Sequence, residues 1–295
     1  MRTWFFGLWM LAASLATAAE TPLSYAGKTV LVTGSTDGLG RELALALAAD
    51  GAHVIVHGRS VARGQAVVDE ITAAGKGSAR FIPADFSSMQ GVRDFADAVA
   101  ASTPKLDLLV NNAGIAFNDG DPRRTSADGH ELQFAVNYLA GWVLVNKLRP
   151  NLAAAAPSRI INISSGSANA IDFDDVMLER PGASDRGYGQ SKLAQVSMTV
   201  ELAPAFAAAG ITMISLHPAT MMNTTMVLGL GLPPRTTVAE GRDHVMGLIR
   251  APTLEPGAFY RDGQPAAPRD PQPSDPVARR KLVALSEALT GVALD

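Results

Sequence analysis

Two residues of this chain, Tyr188 and Lys192, have side chains suited to proton transfer. They are four positions apart in the segment Tyr-Gly-Gln-Ser-Lys, so on a helix they lie on one face, one turn from each other. A free tyrosine ionises near pH 10, and a cation about 4 Å away at an effective dielectric of about 20 favours the phenolate by roughly 4 kcal/mol. The spacing therefore predicts a general acid/base at Tyr188, assisted by Lys192. The alternative is an exposed tyrosine beside a solvated lysine, because any helix can show this spacing.

The elements that would position these two residues alternate between short β-branched runs and longer amphipathic stretches. This alternation is typical of strand–helix–strand units on a parallel sheet. Strands are predicted at 29–33, 53–57, 80–84, 107–110, 159–163 and 211–216, with a short seventh at 257–260. Helices are predicted at 38–50, 61–74, 88–101, about 128–148 and 188–208. We therefore expect an α/β protein: a doubly wound, parallel-sheet Rossmann fold in a single domain, with about seven strands.

The segment after this pattern has a different composition. Residues 261–276 are rich in Pro, Asp and Arg, which predicts an extended surface segment. Leu282, Leu285 and Leu289 then mark an amphipathic helix that should dock on the domain. No linker interrupts the chain, so residues 24–295 are predicted to form one domain.

Composition and charge exclude several classes of function. The formal net charge of the 295 residues is −3 and no basic run is present, which argues against nucleic acid as a partner. The chain has no cysteine, so disulfides, thiolate metal sites and cysteine nucleophiles are excluded. The histidines show no metal-ligand spacing, and no metal site is predicted.

The first 19 residues differ from the rest of the chain. Arg2 precedes an almost wholly apolar run from Trp4 to Leu15, and small residues follow at 16–18. This pattern predicts a secretory signal peptide, with a membrane anchor through residues 4–19 as the alternative. Either interpretation directs the domain away from the cytoplasm, whereas a start site assigned too far upstream would leave the protein cytoplasmic.

A glycine-rich turn, Thr33–Gly40, joins the first predicted strand to the first helix. Its glycines are spaced G-x3-G-x-G, at Gly34, Gly38 and Gly40. Glycines allow a tight turn and a close backbone approach, and the N–H groups of a helix start can bind a pyrophosphate. The turn therefore predicts a dinucleotide site, an ordinary loop being the alternative.

The end of the second predicted strand bears on which dinucleotide is bound. A carboxylate there would bind the ribose 2′-hydroxyl of NAD, whereas an arginine accommodates the 2′-phosphate of NADP. This chain has Arg59 and no carboxylate until Asp69. We therefore expect NADP(H) to be preferred, with NAD(H) as the second candidate.

Four motifs in this order resemble the short-chain dehydrogenase/reductase superfamily. They are Thr33–Gly40, Asn111-Asn-Ala-Gly114, Ser164-Ser165 and Tyr188-x-x-x-Lys192. The resemblance covers about residues 26–290. The sequence Tyr-Gly-Gln-Ser-Lys-Leu-Ala at 188–194 and the acidic insert at 171–176 are most similar to the retinol-dehydrogenase-like group.

The resemblance implies four catalytic residues. Tyr188 would be the general acid/base, Lys192 would lower its pKa and hold the nicotinamide ribose, and Ser165 would hydrogen-bond the substrate oxygen. Asn137 would organise a proton-relay water. The predicted cofactor-binding residues, from the motifs and the resemblance together, are Gly34, Ser35, Thr36, Gly38, Leu39, Gly40, Arg59, Asp85, Asn112, Ala113, Gly114, Tyr188, Lys192 and Pro218, with Asn111 against the adenosine ribose.

One position departs from the superfamily pattern. Where the superfamily usually has Pro-Gly, this chain has Pro218-Ala219. Ala219 adds a methyl group beside the expected nicotinamide, and a residue other than glycine resists positive φ. The methionine- and leucine-rich segment 221–230 that follows should cover an apolar, adaptable substrate pocket.

We therefore expect an NAD(P)-dependent oxidoreductase that interconverts an alcohol and a carbonyl on a lipophilic small molecule. Such chemistry needs a proton donor and a second hydrogen bond to the developing charge, which Tyr188 and Ser165 would supply. The alternative is a catalytically silent dinucleotide-binding sensor or scaffold of the same fold. The superfamily also suggests a homodimer through the fourth and fifth predicted helices.

Overall fold

The computed structural model describes residues 21–294. The predicted signal peptide or anchor at 1–19 lies outside the described residues. Among the helices of residues 21–294, none has the length and apolar character needed to cross a bilayer.

One eight-stranded sheet organises the molecule. Its strands are β1 (Thr29–Val32), β2 (His53–Gly58), β3 (Ser78–Pro83), β4 (Leu108–Asn111), β5 (Ser158–Ile163), β6 (Ile211–His217), β7 (Phe259–Arg261) and β8 (Gln264–Ala266). Their order is β3-β2-β1-β4-β5-β6-β7-β8. Strands β1 to β7 pair in parallel, and β8 pairs antiparallel to β7. The predicted doubly wound fold is confirmed, and ligands of such sheets bind beyond the carboxyl ends of the strands, where the strand order reverses between β1 and β4.

Within residues 21–294, ten α-helices connect and cover these strands. They are α1 (Gly38–Ala49), α2 (Val61–Ala74), α3 (Met89–Ser102), α4 (Leu132–Phe134), α5 (Ala140–Lys147), α6 (Arg149–Ala154), α7 (Gly187–Ala208), α8 (Thr225–Gly229), α9 (Val238–Arg250) and α10 (Pro276–Thr290). Several of these helices begin or end at residues that cap them. For example, the Ser60 side chain accepts a hydrogen bond from Arg63 N at the start of α2, and Gly75 ends that helix with φ +69°, which glycine adopts at little cost.

The hydrophobic core consists of two layers, one on each face of the sheet. Leu43 and Leu47 of α1 pack with Val245 and Ile249 of α9 on one face. Phe95 of α3, Trp142 of α5, Met198 of α7 and Leu282 of α10 belong to the layer on the other face. Because both faces are covered, the inner strands are continuous apolar runs rather than alternating ones.

Two predicted elements differ from the structure. The long helix expected at about 128–148 begins at Leu132 and contains a π-turn, Ala135–Leu139, between α4 and α5. The segment after Tyr260, expected to be extended, turns at Asp262 and Gly263 (φ 49° and 77°) and adds β8 to the edge of the sheet. Pro265 lies in this strand, which is compatible with an edge position.

The C-terminal helix lies on the helices that carry the site. Tyr138 Oη and Ser286 Oγ are 2.7 Å apart in the core, and Trp142 Nε1 donates to Val292 O at 3.0 Å. Arg279 Nε donates to Glu201 Oε2 of α7 at 2.6 Å. Helix α10 therefore covers part of the face through which the homodimer is expected.

Candidate active site

The start of helix α7 positions the predicted acid/base pair. Tyr188 and Lys192 lie one turn apart, with Lys192 Nζ 5.7 Å from the centroid of the Tyr188 ring. The buried Nζ donates to Ile163 O at 2.9 Å and to Gln195 Oε1 at 3.2 Å. These bonds tie α7 to the carboxyl end of β5, where the chain leaves the sheet.

Burial dominates the proton affinities of this pair. It raises the pKa of Tyr188, and a hydrogen bond with Ser165 opposes this rise. It lowers the pKa of Lys192 to about 7. The protein's own effect on the Tyr188 pKa is therefore upward, opposite to the lowering expected from Lys192, because desolvation of the half-buried phenol outweighs the other contributions. The roles of both residues stay predictions.

The two serines that follow β5 have different partners. Ser164 Oγ donates to Lys192 O at 2.7 Å and so braces α7 against the strand. Ser165 acts to lower the pKa of Tyr188, and its Oγ accepts from Ser167 N at 3.1 Å. Of the two, Ser165 is the serine that stands beside the phenol in the cleft.

The π-turn carries Asn137. Its Oδ1 accepts from Ile115 N at 2.8 Å, and its Nδ2 donates to Ile115 O and Ser191 Oγ, both at 3.0 Å. A Cβ on Gly114 would lie 3.3 Å from Asn137 Oδ1 and 3.5 Å from Lys192 Nζ. Asn137 therefore fastens the loop after β4 to α7, close to Lys192. A π-turn adds one residue to a helix and is frequent at functional sites.

The glycine-rich turn packs tightly against the loop after β4. A Cβ on Gly34 (φ +62°) would lie 2.8 Å from Ala113 Cα, and one on Gly40 would lie 2.3 Å from Gly34 O. Asn112 Nδ2 donates to Thr33 O at 2.9 Å and to Gly34 O at 3.2 Å. The glycines thus serve the tight turn and the close helix–strand packing that a dinucleotide site requires.

Charged residues surround the start of helix α1. Asp37 caps the helix by accepting from Gly38 N at 2.7 Å, and Arg63 Nη1 lies 3.9 Å from its carboxylate. Arg59 is exposed at the end of β2 and has no ion pair within residues 21–294. Asp85, after β3, uses Oδ1 to accept from Ser87 N at 3.0 Å. Two arginines are therefore available at the end of β2, where the sequence predicted one.

A single cleft of about 1250 Å³ connects these groups. It is lined by every predicted catalytic and cofactor-binding residue except Asn137, Ser35 and Asn111. Ser35 is buried, with its N–H donating to His57 O at 2.9 Å and its Oγ accepting from His57 N at 3.0 Å. Asn111 is also buried outside the cleft, where its Nδ2 donates to Asn162 Oδ1 at 2.8 Å. Both side chains join neighbouring strands of the sheet, and their contact with a cofactor stays a prediction.

His57 is a residue of the site that the sequence did not single out. Its Nδ1 accepts from Gly34 N at 3.0 Å, so it holds the glycine-rich turn to β2. The ring is stacked on Phe86 with centroids 4.0 Å apart, and burial lowers its pKa to about 4. The only signal in the sequence was a histidine at the end of a buried strand, two residues before Arg59.

The segment after β6 also lines the cleft and reaches the glycine-rich turn, where a Cβ on Gly38 would lie 3.3 Å from Thr224 Cγ2. Met221, Met222, Met226, Val227, Leu230 and Leu232 all line it, as the apolar composition of 221–230 predicted. Ala219 is buried and is not among the residues with positive φ, whereas Met221 has φ 51°. The strain expected at Ala219 is therefore absent there and falls two residues later.

Comparison with known families identifies the superfamily. A sequence model of the family described as short chain dehydrogenase matches residues 28–231. The chain therefore belongs to the short-chain dehydrogenase/reductase superfamily, as an NAD(P)-dependent oxidoreductase.

Within the superfamily it belongs to the retinol-dehydrogenase-like group. Retinol dehydrogenase 13 of Homo sapiens is 33% identical over 93% of this chain and 88% of its own length. Retinol dehydrogenase 14 of Homo sapiens is 31% identical, with 90% and 87% covered.

Solved structures with similar folds include two that are informative here. An uncharacterized protein from Mycobacterium paratuberculosis has a TM-score of 0.76 at 29% identity, covering 94% of this chain and 97% of its own. A metagenomic short-chain oxidoreductase in complex with NADP has a TM-score of 0.61 at 27% identity, covering 81% of this chain and 96% of its own.

Proposed function

We propose that this protein is an NADP-preferring oxidoreductase that interconverts an alcohol and a carbonyl on a lipophilic small molecule, with Tyr188 as general acid/base. The observation that carries the proposal is that Ser165, Tyr188 and Lys192 line the same cleft as the glycine-rich turn. A nicotinamide dinucleotide, when bound, supplies or accepts the hydride. The remaining steps are the work of the chain's own residues.

Proton transfer is assigned to Tyr188 Oη. Burial raises its pKa, so the phenol carries a proton at neutral pH, and as general acid it would donate this proton to a carbonyl oxygen. Ser165 Oγ offers the second hydrogen bond to the charge that develops on that oxygen.

Lys192 and Asn137 position the acid. Lys192 Nζ bonds to Ile163 O and Gln195 Oε1, which fixes the first turns of α7 relative to β5. The side chain of Asn137 does the same for the loop that carries Gly114. Preorganisation of this kind keeps the donor at the geometry that the reaction needs.

The preference for NADP rests on the charges at the end of β2. Arg59 and Arg63 both line the cleft, and no carboxylate follows β2 directly. Arg63 lies near Asp37 and so offsets the one acidic group at the helix start. Guanidinium groups bind a 2′-phosphate well, and the NADP complex of a related fold gives further support.

The lipophilic substrate is proposed from the apolar covering of the cleft and from the relatives named retinol dehydrogenases. We also propose, on the sequence alone, that residues 1–19 export or anchor the protein. N-terminal sequencing of the native protein after fractionation tests this, and an intact N-terminus in the soluble cytoplasmic fraction would contradict it.

The test of the activity uses the purified protein, NADPH and a panel of aldehydes and ketones, followed at 340 nm. Tyr188→Phe is expected to lower kcat/KM at least about 100-fold while NADPH binding is kept. Tyr260→Phe, a buried tyrosine of β7, is the matched control and should keep activity. NADPH binding without turnover of any carbonyl would instead support the silent sensor.

The cofactor preference is tested with Arg59→Asp. The ratio of kcat/KM with NADPH to that with NADH is expected to fall at least about tenfold, because a carboxylate repels the 2′-phosphate. Arg269→Asp, an exposed arginine that does not line the cleft, should leave the ratio unchanged. An unchanged ratio in Arg59→Asp would contradict the assignment.

A further inference from the structure

One cation lies at the substrate end of the cleft. Arg261 is the last residue of β7 and pairs in register with His217 of β6. It lines the same cleft as Ser165 and Tyr188. Since Arg59 and Arg63 mark the other end of the cleft, Arg261 stands on the far side of the reacting groups from the predicted 2′-phosphate site.

The guanidinium of Arg261 packs on the residue that follows the catalytic serine. A Cβ on Gly166 would lie 2.8 Å from Nη1, 3.2 Å from Nη2 and 3.3 Å from Cζ of Arg261. Any side chain at position 166 would therefore displace the guanidinium. Glycine at this position lets a cation lie within a few ångströms of the loop that carries Ser165.

The Arg261 cation has no carboxylate partner. Within residues 21–294 no ion pair or hydrogen bond is formed by this side chain, although it is only partly exposed. The adjacent Asp262 is exposed. The acids that line the cleft are Asp37, Asp85, Asp119 and Asp185, and Asp185 Oδ1 accepts from Gly120 N at 2.6 Å. Partial burial of a charged group costs free energy unless a group of opposite charge pairs with it.

We propose that Arg261 binds a carboxylate of the substrate, so that the substrate is an amphiphile: an apolar chain that bears both the reacting carbonyl or alcohol and an anionic group. The planar guanidinium presents two parallel N–H donors to a carboxylate. The apolar chain packs on Met221, Met226 and Leu230 of the covering segment. This inference rests on the proposed function and narrows its substrate class.

The test compares ω-oxo carboxylates of increasing chain length with their methyl esters, under NADPH. Because a hydrogen-bonded charge pair is worth about tenfold or more in affinity, we expect at least one carboxylate to exceed its ester about tenfold in kcat/KM, mainly through KM. Arg261→Gln should abolish the difference and keep turnover of the esters. Arg261→Lys should restore part of it, and Arg269→Gln is the matched control that should behave as the wild type.

A measurement on the wild type alone guards against a variant that fails to fold. Octanoate should inhibit reduction of octanal competitively and at least about tenfold more strongly than octanamide, since only the anion engages the guanidinium. A merely structural role for Arg261 would not separate acids from esters.

Two results would overturn the inference while the proposed function stands. One is equal kcat/KM for acids and esters of every length, and the other is a preference for acids that survives in Arg261→Gln. Failure to reduce any carbonyl, neutral or anionic, would overturn the proposed function and this inference with it.

Discussion

The buried imidazole of His57 makes the stability of the domain depend on pH. Its Nδ1 accepts a hydrogen bond from Gly34 N, so the ring must stay neutral in the folded protein. Burial lowers its pKa from 6.5 to about 4. Protonation of His57 therefore favours the unfolded chain. The contribution of the neutral imidazole to the free energy of unfolding is fully present above pH 6.5 and is lost as pH falls toward 4.

The size of the effect follows from this difference in pKa. At low pH the free energy of unfolding is lower by about 3 kcal/mol in all, and about 2 kcal/mol of this loss occurs between about pH 7.5 and pH 5. The diagnostic variant is His57→Asn, whose amide oxygen takes the place of Nδ1 and still accepts from Gly34 N but does not titrate. Loss of the stack on Phe86 lowers the stability of this variant at every pH, so the pH dependence is the measured quantity.

The assay is urea unfolding, followed by circular dichroism at pH 7.5 and at pH 5. The free energy of unfolding of the wild type is expected to fall by about 2 kcal/mol more than that of His57→Asn between these two values. His53→Asn, an exposed histidine at the start of the same strand, is the control and should follow the wild type. An equal fall in the free energy of unfolding from pH 7.5 to about pH 5 in the wild type and in His57→Asn would refute the reasoning.

Two further predictions concern packing. Gly40→Ala places a Cβ 2.3 Å from Gly34 O and 2.4 Å from Asn112 Nδ2, so it should cost about 1–3 kcal/mol of stability and raise KM for NADPH. The control is Gly247→Ala in α9, where a Cβ would have nothing within 4 Å, and it should be neutral or stabilising by up to about 1 kcal/mol. Equal thermal stability of the two variants would contradict the tight packing inferred at Gly40. Tyr138→Phe removes the buried bond to Ser286 and should cost about 1 kcal/mol, or roughly 2–4 °C in Tm; an unchanged Tm would show that this bond contributes nothing to the docking of α10.

The parts of the fold that could be predicted are those with a local signal. The run His53-Val-Ile-Val-His is β-branched and apolar because both faces of the inner sheet are covered, so the strand is visible without its neighbours. The turn at Gly34 is visible for a similar reason, since its φ of +62° favours glycine.

The π-turn and β8 have no such local signal. The five residues Ala135–Leu139 include four buried ones, and in a helix that is apolar on nearly all sides an extra residue leaves no break in the periodicity. The strand Gln264–Ala266 contains a proline and is mostly exposed. It forms because β7 offers a free edge, and this is a property of the sheet rather than of the segment.

The features of the site that the sequence did not show come from contacts between residues distant in the chain. The turn motif could not tell that Ser35 bonds to His57 while its neighbour Thr36 lines the cleft. Arg261 and Gly166 meet only because β5, β6 and β7 are adjacent in the sheet. Spacing along a sequence gives the type of chemistry, whereas the direction of each side chain depends on the packing of the whole domain.

The hydrogen bonds that join Tyr138 to Ser286 and Trp142 to Val292 also bear on how the enzyme matures. Because a ribosome synthesises the chain from its amino terminus, the helical segment around Asn137 emerges long before the residues that cover it. Until 276–294 have left the exit tunnel, a nascent chain exposes this apolar surface to chaperones and lacks a rigid support behind Asn137.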